Sequence, residues 1–394
     1  MDDLWGPYRL VLMGPSKSGK TVFLACMYNS LRQETDERQF FLRLDLPSQV
    51  IRLTQLYSMI ADTSDDWPSQ TTRSELFHTE FGFASVDQGR DRVYNAFRFS
   101  CLDYAGDMFE GHLDGAVPDE EFDHALQQAT SLVAVIDGCD LLDYMDRKLR
   151  PDDMLRRYAA IWQIIHDTVR SNFKPVHFIL TKWDLFDLRH VTLKQAVEAL
   201  KDFSEFKNCL IPAKASRGGV PRYPVRLIPV SAIGDDFAIR EHSSRKMDKQ
   251  PGRVPNGFNL EMPLACALYD RLEITVEQLR AELERKTPFF VRLFQSPGTK
   301  PILDVIKKMK LRKVEKMLAA SPLPWPARLF LLTAVAVMES GKGSAVDRVE
   351  KAMQLTKPAE VTADELRGRT IALVEFDALV AQLDSRYPDN RIVR

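Results

Sequence analysis

The fold is decided by the stretch Tyr8-Arg9-Leu10-Val11-Leu12-Met13-Gly14-Pro15-Ser16-Lys17-Ser18-Gly19-Lys20-Thr21. Its second half fits the pattern G-x-x-x-x-G-K-S/T and stands between a strand-like apolar run and a helix-like run that ends at Leu31. The two glycines, Gly14 and Gly19, allow the backbone to curl so that its N–H groups point inward at phosphate oxygens. The positive N-terminal end of the following helix adds to this attraction.

The stretch therefore predicts a phosphate-binding loop for a nucleoside triphosphate with Mg²⁺. Lys20 is expected to reach the β- and γ-phosphates, and the Thr21 hydroxyl to be a magnesium ligand. The whole loop forms the first set of candidate cofactor-binding residues: Gly14, Pro15, Ser16, Lys17, Ser18, Gly19, Lys20 and Thr21.

Three further elements follow predicted buried strands. They are Asp103-Tyr104-Ala105-Gly106, then Thr181-Lys182-Trp183-Asp184, and finally Ser231-Ala232-Ile233. Each is weak alone: D-x-x-G arises by chance in most chains, and Asp184 is equally compatible with a helix cap on the surface. Their order along the chain is what favours a common binding site, because each follows a strand and ligands on open α/β sheets bind beyond the carboxyl ends of the strands. All four elements are expected on one rim of the sheet.

Each element has a chemical role at that rim. The Asp103 carboxylate can hold magnesium through water, and the Gly106 N–H can donate to the γ-phosphate. Asp184 can accept two hydrogen bonds from a guanine edge and rejects adenine, which presents an acceptor where guanine presents a donor. The Lys182 stem can lie over the base, and a backbone N–H at Ser231-Ala232 can meet the guanine carbonyl.

With these motifs in this order, the chain resembles the translation-factor and Ras-like (TRAFAC) class of P-loop GTPases over Tyr8 to Leu283. The resemblance implies GTP/GDP and Mg²⁺ as cofactors and a switch II that begins at Asp103. It also implies a switch I threonine that reaches magnesium; Thr71 is favoured, with Thr72 close behind. The implied catalytic residues are Lys20, Thr71, Gly106 and Asp107; the implied metal ligands are Thr21, Thr71 and Asp103; the base is held by Thr181, Lys182, Asp184, Ser231 and Ala232.

The chain departs from the family pattern in three places. Thr181 stands where Asn is usual, which some members accept. Asp107 stands where Ras-like members carry the glutamine that orients the attacking water, so hydrolysis is expected to be slow or partner-stimulated. Arg73, beside the proposed switch I, is either an arginine that assists hydrolysis in cis or a solvated surface charge. An insertion at about 34–66 lengthens the spacing before Asp103, and this layout is most similar to poorly characterised bacterial members.

The alternation of strands and helices predicts an α/β fold, a GTPase-type mostly parallel sheet flanked by helices. The GTPase domain is expected at 1–286. Beyond Lys286 no strand pattern follows, and residues 287–394 are expected to form a small all-helical C-terminal domain. Its predicted helices are Ile302 to Ala320, Ala327 to Ser340, Ser344 to Leu355 and Ala363 to Leu383, with Thr362 and Glu365 as a capping box for the last.

Composition excludes some classes of partner. The 394 residues carry a net charge of -1, which argues against a strongly basic nucleic-acid surface, and no sequence-specific nucleic acid is expected. Five scattered cysteines and no apolar leader indicate a cytoplasmic protein. A protein effector or activating partner is expected. The basic stretch 302–318 is either a solvated helix face or a site for an anionic membrane or acidic partner. The oligomeric state is left open.

Two other functions remain compatible with the residues. In the first, Thr181 to Asp184 is coincidental and the chain is a P-loop ATPase or kinase. In the second, the chain is a scaffold that binds nucleotide without hydrolysis, which Asp107 favours.

Overall fold

The computed structural model describes residues 8–35, 38–64, 66–69, 77–103, 120–171, 174–214, 224–240, 247–286, 310–319, 323, 325–354 and 361–393. The predicted switch I residues Thr71 and Thr72, and the switch II residues Gly106 and Asp107, lie outside these ranges.

Ten strands and thirteen helices are found in the described ranges. The strands are β1 Tyr8–Met13, β2 Phe40–Leu44, β3 Phe77–Asp87, β4 Arg92–Asp103, β5 Ser131–Ile136, β6 Val176–Leu180, β7 Val225–Pro229, β8 Ala238–Arg240, β9 Met247–Lys249 and β10 Arg391–Val393. The helices are α1 Lys20–Leu31, α2 Pro47–Ala61, α3 Glu120–Gln128, α4 Gly138–Met145, α5 Pro151–Ser171, α6 Asp184–Leu188, α7 Leu193–Leu200, α8 Ser204–Lys214, α9 Met262–Lys286, α10 Leu311–Ala319, α11 Trp325–Ser340, α12 Lys342–Met353 and α13 Ala363–Arg386.

Eight of the described strands form one sheet in the order β10-β7-β6-β5-β1-β4-β3-β2. The five central strands, β7, β6, β5, β1 and β4, are parallel, whereas β2, β3 and β10 add antiparallel pairs at the two sides. Strands β5, β6 and β7 are buried along their whole length, as expected for largely apolar strands covered on both faces, although β6 contains His177 and β7 contains Arg226. The predicted fold class, a mostly parallel α/β sheet flanked by helices, is confirmed.

The strand order places the four sequence motifs along one edge. From β1 the chain first builds the β4-β3-β2 side of the sheet and then returns to build β5, β6 and β7, so the topological switch point lies at β1. Ligands of open α/β sheets bind in the crevice outside the strand ends at this point. Read across the sheet, the edge carries Asp103 at the end of β4, the Gly14 loop after β1, Thr181 after β6 and Ser231 after β7.

The predicted insertion consists of edge strand β2 and helix α2. The Gln49 side chain holds α2 against the beginning of β3, where β2 no longer pairs. Its amide nitrogen donates to the His78 carbonyl at 3.0 Å, and its amide oxygen accepts from the Glu80 N–H at 3.3 Å. One side chain thus makes the two hydrogen bonds that a neighbouring strand would supply.

The C-terminal region is helical, as predicted, and helix α13 packs directly on the sheet. The Phe376 ring centroid lies 4.6 Å from that of Phe83 and 6.1 Å from that of Phe97. A Cβ added at Gly368 would lie 2.5 Å from the Tyr94 Cβ, so this helix needs a glycine where it approaches β4. Thr362 caps the helix by accepting from the Glu365 N–H at 3.1 Å, in agreement with one half of the predicted capping box.

The last strand, β10, was not predicted and pairs with β7 at the opposite side of the sheet. The fully buried Arg226 of β7 joins the two regions. Its guanidinium donates to Asp270 at 2.8 and 3.1 Å, to Asp384 at 2.6 Å and to Asn390 at 2.7 Å. Complete pairing offsets the cost of burying this charge. The C-terminal region therefore contacts both sides of the sheet; the domain boundary between 286 and 287 stays a prediction.

The basic stretch 302–318 is described from residue 310 onward. In α10 the apolar side chains of Leu311, Val314 and Leu318 are buried, and the helix packs against α11. The described part of this stretch thus presents mainly its charged face to solvent, with Met317 half-buried. No helix among the described residues has both the length and the apolarity needed to cross a membrane.

Candidate nucleotide-binding site

The phosphate loop has the backbone geometry that its sequence predicts. Gly19 has φ 92° and Lys17 has φ 63°, two left-handed residues that turn the chain between β1 and α1. A Cβ at Gly14 would lie 3.0 Å from Ser18 Oγ and from the Val135 backbone oxygen, so the loop closes tightly against β5. Positive φ is strained for side-chain-bearing residues, and Lys17 is held there by the closed loop.

The Lys20 ammonium lies inside the loop and is 6 % exposed. It donates to the Gly14 carbonyl at 2.7 Å and to the Pro15 carbonyl at 3.0 Å. The buried Ser18 Oγ has no hydrogen-bond partner among the described residues. A cation, a turned backbone and an unsatisfied hydroxyl at a helix N-terminus are a donor set that fits phosphate oxygens.

Thr21 and Asp103 meet next to the loop, although they lie on different elements. The Thr21 hydroxyl donates to Asp103 Oδ2 at 3.3 Å, and Asp103 Oδ1 is buried with no hydrogen-bond partner in the described part of the chain. Burial raises the pKa of Asp103 to about 6, whereas the positive charges of Lys20 and Arg52 act to lower it. Two oxygen groups, one of them with an unused buried acceptor, fit a hard divalent cation such as Mg²⁺.

The inserted helix α2 contributes to this end of the site. Gln49, Arg52 and Leu53 line a cavity of about 30 Å³ together with Thr21 and Asp103. The insertion thus adds a positive charge next to the predicted metal carboxylate.

Asp184 and Ser231 also meet, at the other end of the rim. Asp184 begins α6, is 1 % exposed, and accepts a hydrogen bond on Oδ1 from the Ser231 hydroxyl. Ser231 Oγ in turn accepts from the Gly234 N–H at 2.9 Å. Burial raises the pKa of Asp184 to about 6; the Ser231 hydrogen bond lowers it, and the nearby Asp235 charge raises it. This pairing orients a carboxylate whose second oxygen can take further N–H donors.

Thr181 connects the base end to the phosphate loop. Its hydroxyl lies 2.9 Å from the Ser18 carbonyl oxygen and 3.2 Å from the Ile136 carbonyl oxygen. Thr181 replaces the usual Asn, but its side chain still donates a hydrogen bond to the phosphate loop. Lys182 follows with φ 57°, and its ammonium donates to both carboxylate oxygens of Asp137 at 2.8 and 2.9 Å.

The loop at Ser231 is held by the segment that follows the β8–β9 hairpin. Ser231 and Phe258 exchange backbone hydrogen bonds at 2.9 and 3.3 Å, and the Asn256 N–H donates to the Ile233 carbonyl at 2.9 Å. A Cβ at Gly257 would lie 2.5 Å from the Ala232 carbonyl oxygen. Only a glycine permits this close approach, which fixes the candidate base loop from behind.

The structure thus brings together all predicted site residues that it describes. These are Gly14 to Thr21 and Asp103 at the phosphate end, and Thr181, Lys182, Asp184, Ser231 and Ala232 at the base end. The predicted roles of Thr71, Gly106 and Asp107 concern residues outside the described ranges, as does that of Arg73, and stay predictions.

Sequence reasoning missed the polar residues that follow β5. Asp137 directly follows this strand and caps α4, since its side chain accepts from the Cys139 N–H at 2.8 Å. Gly138 is required next, because an added Cβ would lie 2.2 Å from the Thr181 carbonyl oxygen. The rule that located Asp103 and Thr181, a polar residue directly after a buried strand, applies equally to Asp137 and could have found it.

Two solved structures are similar to this chain at low identity. The signal recognition particle receptor SRb-GTP/SRX complex from Chaetomium thermophilum is 16% identical, with 58% of this chain and 92% of that chain covered and a TM-score of 0.30. NFeoB from S. thermophilus, bound to GDP.AlF4- and K+, is 14% identical, with 95% of this chain and 98% of that chain covered and a TM-score of 0.28. No protein-family model and no curated protein matches the chain. Likeness at these TM-scores carries no argument about function, which depends on the site itself.

Proposed function

We propose that this chain is a GTP-binding molecular switch that uses Mg²⁺ and slowly hydrolyses GTP to GDP and phosphate. The observation that supports this most is the convergence of two pairs from four strands on one edge: Thr21 with Asp103, and Asp184 with Ser231. The first pair flanks the phosphate loop and the second lies beyond Thr181, in the order metal, phosphates and base.

At the phosphate end, the loop N–H groups and the Lys20 ammonium bind the β- and γ-phosphates. The Lys20 ammonium, which donates to the Gly14 and Pro15 carbonyls, also donates to phosphate oxygens in this proposal. Thr21 and Asp103 would hold Mg²⁺, which neutralises charge between the phosphates when bound. Asp103 is well suited to this, because a cation favours the ionised form that burial disfavours.

At the base end, Asp184 accepts hydrogen bonds from two guanine N–H groups. Ser231 orients the carboxylate, and the buried position excludes water that would compete for it. An adenine in the same position offers neither donor, so the buried carboxylate would be left unpaired at a substantial free-energy cost.

The hydrolytic step is assigned to the switch residues. In this proposal Thr71 would complete the magnesium ligands, and the Gly106 N–H donates to the γ-phosphate. Asp107 replaces the expected glutamine, and without a supplied arginine the rate is expected on the order of 10⁻⁴ to 10⁻² per second. Loss of the γ-phosphate releases both segments, and the C-terminal helices pass this change to a partner protein.

Substitution of Asp184 tests whether this residue recognises guanine, because it should create binding of a different base as well as weaken binding of guanine. In the Asp184→Asn variant the amide NH₂ replaces an acceptor by a donor, which suits the C2 carbonyl of xanthine rather than the C2 amino group of guanine. We expect the variant to bind xanthosine triphosphate more tightly than GTP, by about tenfold or more, in fluorescence titrations. Asp187→Asn is the matched control, because Asp187 is an exposed carboxylate on the same short helix.

Nucleotide binding and phosphate release also distinguish the proposed switch from the two alternatives, a P-loop ATPase or kinase and a nucleotide-binding scaffold. Tight ATP binding that survives Asp184→Asn would identify a P-loop ATPase or kinase and remove the base assignment. Normal GTP affinity without phosphate release, even after addition of cell extract, would identify a nucleotide-binding scaffold and contradict only the hydrolytic part.

A further inference from the structure

Arg157 of helix α5 reaches the phosphate loop from a distant part of the sequence. Its Nη2 donates to the Ser16 carbonyl at 3.1 Å, across 141 positions of the chain. The side chain is 20 % exposed, so the charge is largely shielded from solvent. No part of the motif pattern identifies this arginine, and the roles proposed above do not use it.

The other end of the guanidinium is fixed by a buried carboxylate. Arg157 Nε lies 3.0 Å from Asp140 Oδ2, and the Asp140 side chain is fully buried. The same oxygen accepts from the Tyr158 hydroxyl at 3.0 Å, and that hydroxyl accepts from the Asp137 N–H at 2.9 Å. One oxygen of this buried carboxylate thus has both the ion pair with Arg157 and the hydrogen bond from Tyr158, and losing either partner would leave buried charge less well compensated.

This polar chain continues to the base end of the site. Asp137 holds the Lys182 ammonium through both carboxylate oxygens, and Lys182 lies between Thr181 and Asp184. The Ser16 carbonyl is therefore connected to the base-recognition segment by Arg157, Asp140, Tyr158 and Asp137, a route that runs along α4 and α5.

One physical consequence follows for bound phosphate. Holding the Ser16 carbonyl on the α5 side keeps that peptide oriented with its carbonyl away from the loop interior, where an oxygen would repel phosphate. The Arg157 charge is itself paired with Asp140, so the effect is assigned to this orientation and not to a net positive charge. The effect increases with the negative charge of the ligand, because it is an interaction of the peptide dipole with that charge.

We propose that Arg157 is a positioning residue of the phosphate loop, and that its contribution to binding grows with the number of phosphates on the nucleotide. This inference rests on the proposed function, because it takes the Gly14 to Thr21 loop as the phosphate site. It adds a determinant, anchored on Asp140, that favours the triphosphate over the diphosphate.

The test is an affinity series for guanosine, GMP, GDP and GTP, measured with wild type, Arg157→Gln, Arg157→Lys and Arg156→Gln. Arg156 is the matched control, since its side chain is 70 % exposed and pairs with the neighbouring Asp153 at 3.1 Å on the surface of the same helix. For Arg157→Gln we expect guanosine affinity to be unchanged, GDP affinity to fall about threefold and GTP affinity to fall about tenfold. Arg157→Lys keeps the charge but cannot contact both the Ser16 carbonyl and Asp140, so its GTP affinity should lie between those of wild type and Arg157→Gln.

Equal losses for all four ligands would overturn the inference, since a merely structural role does not depend on phosphate number. Unchanged GTP affinity in Arg157→Gln would overturn it as well. If Arg157→Gln does not fold, the GTP-to-GDP affinity ratio of Arg157→Lys decides in its place. If wild type binds adenosine but not guanosine phosphates, the base assignment fails alone, and the same series with adenosine phosphates tests Arg157.

Discussion

Asp103 and Asp184 are two carboxylates of the same rim with similar burial and different surroundings. Asp103 ends β4 and Asp184 lies beyond β6; each is 1 % exposed, and burial raises the pKa of each to about 6. Asp103 has the positive charges of Lys20 and Arg52 nearby. Asp184 has a neutral donor, Ser231, and two opposite charges, Asp235, which raises its pKa, and Lys182, which lowers it.

The difference shows how the two ends of the site prepare for different ligand groups. The phosphate end holds excess positive charge before any ligand binds, which suits an anionic group and its magnesium. The proposed base end holds a buried carboxylate whose neighbouring charges, Asp235 and Lys182, act on its pKa in opposite directions, so the N–H donors of a base would add stabilisation that burial removes. Affinity should therefore depend mainly on the first end, and selectivity on the second.

The largest effect is expected from removing the cation of the phosphate end. Lys20→Met deletes the only buried ammonium that contacts the loop among the described residues, and GTP affinity should fall by about 100-fold or more. Guanosine affinity should be unchanged, because the base end is intact. Calorimetric titration of both ligands measures this, with Lys194→Met on the exposed face of α7 as the control. A loss of guanosine binding as well would show that the two ends are not separable.

A smaller effect, specific to magnesium, is expected for Asp103→Asn. The variant should bind GTP about tenfold more weakly than wild type when Mg²⁺ is present and equally well when EDTA removes it, because only the cation uses the carboxylate charge. Asp184→Asn, which also removes a buried carboxylate, should keep the full response of xanthosine triphosphate binding to Mg²⁺. An equal magnesium response in wild type and Asp103→Asn would remove Asp103 from the metal site.

The stability of the nucleotide-free protein should respond to pH through Asp184. Its folded-state pKa of about 6 lies above the ordinary value of 3.8, so its contribution to stability is fully present below the unfolded pKa and is lost as pH rises through about 6. Asp184→Asn carries no such dependence. We expect the free energy of unfolding of the variant, relative to wild type, to rise by about 2 kcal/mol between about pH 4 and about pH 8.

Urea unfolding without nucleotide or magnesium measures this difference, and Asp123→Asn on α3 controls for loss of an exposed carboxylate. A constant difference across that range would mean that Asp184 is stabilised by contacts other than those described. In binding experiments the same group should make the preference for GTP over inosine triphosphate weaken below about pH 6, because a protonated Asp184 accepts fewer hydrogen bonds.

The smallest effect is expected behind the base loop. Gly257→Ala places a methyl group 2.5 Å from the Ala232 carbonyl oxygen and must displace the loop that carries Ser231. GTP affinity should fall about threefold to tenfold, while binding of inorganic triphosphate with Mg²⁺ stays at the wild-type level. Gly343→Ala is the control, because a methyl group there meets nothing within 4 Å. A matching loss of triphosphate binding would argue against a purely base-end effect.

The sequence predicted most of the described rim because its signals are local. An apolar run followed by glycines, or by a carboxylate, marks the end of a buried strand within a few residues. The strands that such runs predict, Leu76 to Val86, Val93 to Leu102, Leu132 to Ile136 and Val176 to Leu180, agree with β3, β4, β5 and β6 to within one residue at each end. Short elements escaped prediction: α4, α6 and the β8–β9 hairpin contain too few residues to show a period. Strand β10 escaped because three residues pair with β7 only once the whole chain has folded.

By itself, the sequence determined the phosphate loop, the class of fold and the order of the motifs, since each depends on spacing within a single turn or strand. Only the tertiary structure decided which side chains support them. Arg157 contacts Ser16, and Arg226 pairs with Asp384, across long stretches of the sequence. Position 257 needs a glycine because its backbone approaches the Ala232 carbonyl closely. Such contacts depend on how helices and strands pack against one another, and this packing does not produce a periodic pattern in the sequence.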